Sequence, residues 1–268
     1  MRPSSRPRPE GIVRDWLTRW RKARTLERRA IPDALWALTL ARFHFLTWRD
    51  ARDLVALREM TTLFLADKEF TGAHGLEVDD EMAVAIAAQA CLPVLRLGLH
   101  WLDGFKGIVV HADAVVAQRE HVDEAGVVHH YEEELTGEAM HGGPVMLAWR
   151  DVDEAGESAD EGYNVVVHEF VHVLDMRDGA ADGIPPLPDR ARHDAWVAVL
   201  DAEYDEFCAR VDADADTLLD PYAAEAPEEF FAVASEAFFV APHDLRLEHP
   251  RFYDLLRDFF GQDPAAYA

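Results

Sequence analysis

Cations are scarce in this chain. Its 268 residues carry 26 lysines and arginines against 51 aspartates and glutamates, a formal net charge of −25. So acidic a body favours solubility and repels nucleic acid and anionic lipid, which argues against direct nucleic-acid binding. Cysteine is scarcer still, with only Cys91 and Cys208. Two thiols without a C-x-x-C spacing make neither a disulfide framework nor a zinc–cysteine site, and they read as free thiols in a reducing compartment. No apolar run reaches the length of a membrane span, because Pro32, Asp33, Arg42 and His44 interrupt the stretch 31–46. The N-terminus MRPSSRPRPEG carries arginines but is followed by no apolar signal segment. A cytoplasmic protein is the expectation. A P-loop, a G-x-G-x-x-G fingerprint and internal repeats are missing as well.

What cations there are crowd the start of the chain. Residues 1–30 hold a Pro-rich, Arg-rich lead and then, from Ile12 to Arg29, an amphipathic helix with Trp16, Leu17 and Trp20 on one side. Its positive charge suits packing on the chain's own acidic body. Residues 31–268 are expected to form a single domain. Helical spacing predicts two helices within Ile31–Leu65, then Met82–Leu92 behind the acidic start Asp79-Asp80-Glu81. It also predicts a helix over Asp189–Val211. Phe70 to Gly75 reads as a turn. Gly107–His111, Val127–Tyr131 and Gly142–Trp149 read as strands. His129 and His130 are adjacent on a strand and point to opposite faces, so they cannot share one ion. Asp212, Asp214 and Asp216 resemble the opening of a calcium loop, but Thr217 stands where that loop needs glycine.

The chemistry is concentrated in Asn164–Asp175, NVVVHEFVHVLD. Its H-E-x-x-H motif places His168 and His172 four apart on one helix face, where both imidazoles can meet one ion. Glu169, beside the first ligand, is placed to deprotonate a water held by the metal. This is the arrangement of a zinc hydrolase; the competing reading is a core helix with incidental histidines. A catalytic zinc needs a third protein ligand and an open position. Downstream, LDPYAAEAPEEFFAVASEAFF supplies Glu225, Glu228, Glu229 and Glu236. Pro227 suits the first turn of a helix. Glu229 and Glu236, seven apart, share a face of it. Asp175 lies seven after His168 and is a candidate acceptor for a ligand N–H, or a helix cap. Val145–Trp149, shortly before the motif, is a candidate edge strand for receiving an extended peptide.

The combination of HEFVHVLD with DPYAAEAPEEFFAVASEAFF, AIAAQACLPVL, GEAMHGGPVMLAW and the Gly75-Leu76 turn resembles the Mlc titration factor A family of bacterial zinc peptidases, over roughly residues 60–245. The catalytic segment is also similar to that of anthrax lethal factor, in which a tyrosine stands seven residues before the ligand glutamate. Tyr222 and Glu229 have that spacing, which favours Glu229 over Glu236 as third ligand. The resemblance implies one zinc ion held by His168, His172 and Glu229, with Glu169 as general base. It implies Tyr222 as a hydrogen-bond donor to the oxyanion, with Glu236 and Asp175 behind the ligands. The expected fold is α+β: a mainly helical body with a small mixed sheet beside the motif helix, in the gluzincin manner. The cleft would lie between that helix and one over Pro227–Phe239. The resemblance further implies aminopeptidase-type activity on peptides. It also implies binding of an Mlc-like repressor of sugar phosphotransferase genes. The rival function is a non-catalytic zinc-containing protein that sequesters a transcription regulator. Glu169 speaks against it, since a structural zinc site needs ligands but no base.

Overall fold

The computed structural model describes residues 9–122, 128–135, 137–140, 142–157, 159 and 162–268. Helix α1 (Pro9–Arg28) opens them and lies against α3 (Ala51–Asp67); between the two comes α2 (Asp33–Arg42). Of the aromatic side expected on α1, Trp20 is exposed and carries the Arg24 guanidinium over its ring at 5.0 Å. Asp50 caps α3 by accepting from Asp53 N at 2.8 Å. Asp79 does the same for α4 (Asp80–Cys91), accepting from Met82 N at 2.9 Å. The Ala-rich sequence of α4 is explained by its burial: every residue from Val84 to Cys91 is in the core.

A four-stranded mixed sheet runs in the order β1 (Glu69–Gly72), β2 (Gly107–His111), β6 (Val145–Ala148), β5 (Gly137–Ala139). The first three are parallel, and β5 is antiparallel to β6. A separate antiparallel hairpin joins β3 (Val115–Val122) to β4 (Val128–Leu135), with His129 opposite His121 and His130 opposite Glu120.

Two expectations are corrected here. The segment read as a turn from Phe70 is strand β1, and the chain bends only after Gly72. A Cβ on Gly72 would stand 1.9 Å from Leu76 O, so the bend requires its absence. The Val145–Trp149 segment is not an edge: β6 is paired on both sides, and β5 takes the edge beside it.

The helical body follows. After the short α5 (Trp149–Glu154) come α6 (Val165–Asp175), α7 (Arg190–Asp212), α8 (Pro227–Val240), α9 (Pro242–Glu248) and α10 (Pro250–Phe260). Helices α6 and α8 pack on each other, with β5 and β6 against α6. Pro227 is in the first turn of α8, as its fixed φ favours. Phe230, Phe231, Phe238 and Phe239 of α8 are fully buried. At about 1.5–3 kcal/mol each, such burial outweighs the cost of bringing a few polar groups inside. The α+β architecture matches the sequence expectation. Among the described residues no helix is long and apolar enough to cross a membrane. Cys91 and Cys208 are free thiols, the first fully buried.

Candidate metal centre

The start of α6 is fixed by a cap upstream of its two histidines. Asn164 caps the helix, its side-chain oxygen accepting from Val167 N at 2.8 Å. Its Nδ2 donates to Gln89 Oε1 of α4 at 2.8 Å, and its backbone N–H donates to Glu236 Oε2 of α8. One buried asparagine thus ties three helices together. From this anchor, the helical repeat turns His168 and His172 toward α8 while Val166, Phe170 and Val171 enter the core.

Three side-chain atoms then converge. Glu229 Oε2 lies 3.1 Å from His168 Nε2 and 3.3 Å from His172 Nε2, and the two Nε2 atoms are 3.1 Å apart. His168 Nδ1 is occupied on its other side, 2.7 Å from Glu236 Oε1. With Nδ1–H donating to that carboxylate, the Nε2 lone pair faces Glu229 and His172. Glu229 Oε2 is buried and accepts no hydrogen bond. Three potential donor atoms gathered around one point, one of them a buried carboxylate oxygen, could hold a cation there. Two imidazole nitrogens and one carboxylate oxygen are a donor set that suits zinc. Among the described residues this is the one group of three or more side chains so disposed.

The carboxylates and imidazoles of the cluster also shift one another's protonation. Burial works against a charge on His168, but Glu236 and then Glu229 outweigh it and hold the imidazole well above its usual value. Burial by itself would raise Glu229, yet the two imidazoles overcome it and hold the carboxyl down at about 2. Glu169 is different. It is 5% exposed, and burial, only partly offset by the neighbouring His168, pushes its carboxyl up to about 8. An acid poised near neutrality can both take and return a proton.

The remaining expected residues fall around this point. The Tyr222 ring stands 6.2 Å from that of His168 and is 40% exposed. It sits in a 3-10 turn, Pro221–Ala224, which Asp220 caps and which Tyr204 OH holds from α7 by donating to Ala224 O at 2.9 Å. Glu236 is the group behind the His168 imidazole. Asp175 is fully buried, and its Oδ2 accepts from Gly183 N at 2.8 Å, bracing the loop that follows α6. Burial pushes this carboxyl up to about 7. Glu225 and Glu228, also considered as ligands, lie outside the group. Sequence reasoning gave no role to Asn164 or Gln89. An asparagine just before an apolar helix is a cap signal, whereas only the odd burial of a glutamine in an alanine-rich helix hinted at Gln89.

A family described as glucose-regulated metallo-peptidase M90 matches residues 17–261. A protein named Mlc titration factor A from Escherichia fergusonii is 36% identical over 231 residues, covering 85% of this chain and 85% of its own. Its namesake from Salmonella arizonae is 35% identical over 240 residues, 87% of this chain and 92% of its own. The resemblance seen in the motifs is therefore real, and it extends beyond residues 60–245 at both ends, into α1.

Proposed function

Because the chain belongs to the glucose-regulated metallo-peptidase M90 family, we propose that it is a zinc-dependent peptidase of the gluzincin type. His168, His172 and Glu229 hold the ion. The observation that carries this is the buried, unsatisfied Glu229 Oε2 facing two Nε2 atoms at 3.1 and 3.3 Å. Zinc when bound supplies Lewis acidity toward the scissile carbonyl and lowers the pKa of water.

The chain's own residues do the rest. The Glu169 carboxylate takes a proton from the attacking water and passes it to the leaving amine. Tyr222, exposed beside His168, donates its phenolic hydrogen to the developing oxyanion. Glu236 keeps the His168 Nδ1 proton in place, which fixes the tautomer that presents Nε2 to the metal. Asp175 acts one step further out, through the loop it braces. An extended peptide pairs with the outer edge of β5, which among the described residues has no other strand on that side.

The substrates are peptides, cleaved in aminopeptidase fashion in the cytoplasm. The test is hydrolysis of a panel of amino-acid and peptide anilides, each with a free and with an acetylated amine. Zinc-loaded protein should cleave the free-amine compounds, lose the activity to a chelator and regain it with zinc. Preference for acetylated peptides would make it an endopeptidase; inertness throughout would remove the enzyme reading. The relatives' name, Mlc titration factor A, supports a second role, the binding of an Mlc-like repressor. Co-sedimentation of this chain with such a repressor from its own genome tests it.

A further inference from the structure

Gly137 opens the edge strand β5 directly over α6. A Cβ there would stand 2.5 Å from Glu169 Oε1, 2.6 Å from Cγ and 2.7 Å from Cδ. Three consecutive atoms of one side chain would be struck, so turning the carboxylate about its last bond gives no escape. Glu169 itself is nearly sealed from solvent, between the fully buried Phe170 and the ligand His168. Lifting the strand would also disturb its pairing with β6, where Gly137 is in register with buried Leu147.

The backbone at Gly137 makes no demand for glycine. Its φ is not in the left-handed region, where eight other glycines among the described residues lie. Any residue could adopt this extended conformation. What excludes a side chain is the approach of Glu169, which supplies all three of the atoms nearest to the Cβ position.

We infer that Gly137 is a positioning residue for Glu169: the missing side chain lets the β5 backbone rest on the carboxyl and set its place between the ligand cluster and the sheet edge. The inference rests on the reading of Glu169 as general base. In that reading β5 has two neighbours to place, the base on its inner side and the extended substrate on its outer edge. A strand that touches the base fixes the distance between them. Displacements of about 1 Å at such a site cost on the order of 10²-fold in rate. Binding along the strand edge, by contrast, is left almost untouched by a methyl group on the inner side.

The test is a pair of measurements on Gly137→Ala, Glu169→Ala and the double variant. In the zinc-loaded enzyme, Gly137→Ala should lower kcat by about tenfold or more and leave KM within about twofold, with zinc content unchanged. In the metal-free protein, Gly137→Ala should lower Tm when Glu169 is present. In the Glu169→Ala background it should leave Tm unchanged or raise it, as glycine-to-alanine changes do where the backbone permits. Should Gly137→Ala fail to fold by itself, folding of the double variant supports the contact, and failure of both overturns it. Wild-type kcat in Gly137→Ala, or an equal loss of Tm in both backgrounds, also overturns the inference. Coupling in Tm with no hydrolysis by the wild type would remove the peptidase reading, and the positioning role with it, while leaving the contact itself standing.

Discussion

Glu229 and Glu236, two turns apart on α8, address opposite nitrogens of a single imidazole: Glu229 Oε2 lies 3.1 Å from His168 Nε2, and Glu236 Oε1 lies 2.7 Å from His168 Nδ1. A spacing of seven residues is what lets one helix do both. Their roles differ because only Glu229 also reaches His172, at 3.3 Å. Replacing Glu229 with alanine should therefore abolish stoichiometric zinc binding. Metal analysis after dialysis, with circular dichroism to show that the helices remain, checks this.

Glu236→Ala should weaken zinc binding by about 10–100-fold without abolishing it, because the ring loses its orienting acceptor but keeps Nε2. Glu236→Gln, whose carbonyl oxygen can still accept from Nδ1–H, should recover most of the affinity. Competition with a zinc-responsive dye measures both. Equal losses in the two variants would deny the orienting role.

Tyr222→Phe should lower kcat by roughly 10²-fold, the usual cost of one oxyanion donor. Because phenylalanine keeps the ring beside His168 at a position that is 40% exposed, zinc content should not move. Parallel kinetics and metal analysis separate the outcomes.

Behind α8, the buried carboxylate of Glu203 on α7 accepts from His249 Nδ1 and Arg251 Nε, each at 3.0 Å. The His249 hydrogen bond, ahead of Arg251, holds this carboxyl below its usual range. A depressed folded-state pKa stabilises the fold above the unfolded value, about 4.3, and that contribution disappears as pH falls through the folded value. Glu203→Gln should thus be less stable than wild type at pH 7, with the gap closing below about pH 4. Urea titrations at the two pH values give the sign.

The parts of this molecule legible in the sequence are those set by local spacing. The four-residue interval of His168 and His172, the acidic helix start at Asp79-Asp80-Glu81, Pro227 in the first turn and the apolar periods of α2 to α4 and α6 to α8 all act within a turn or two of helix. Strand pairing is different. The segment Val145–Trp149 looks like an edge strand until β5 covers it, and three residues, Gly137–Ala139, are too few to leave an alternating pattern. β1 was hidden in the same way, since a four-residue strand ending in Gly72 reads as a turn. Within the site, a shared helix face admits both Glu229 and Glu236, and only the fold shows which nitrogen each meets. The bond from Asn164 to Gln89 joins residues far apart in sequence, and nothing local to either announces it.

The central claim is that Glu169 moves protons beside a zinc held by other residues. Glu169→Gln is close to isosteric and leaves the three side chains of the ligand group in place, so zinc content and anilide hydrolysis in this variant and in wild type test the claim most directly. About one zinc per chain is expected in both proteins, with hydrolysis in wild type and a loss of several hundredfold or more in the variant. Undiminished hydrolysis by Glu169→Gln, or no zinc in wild type after reconstitution, would contradict it.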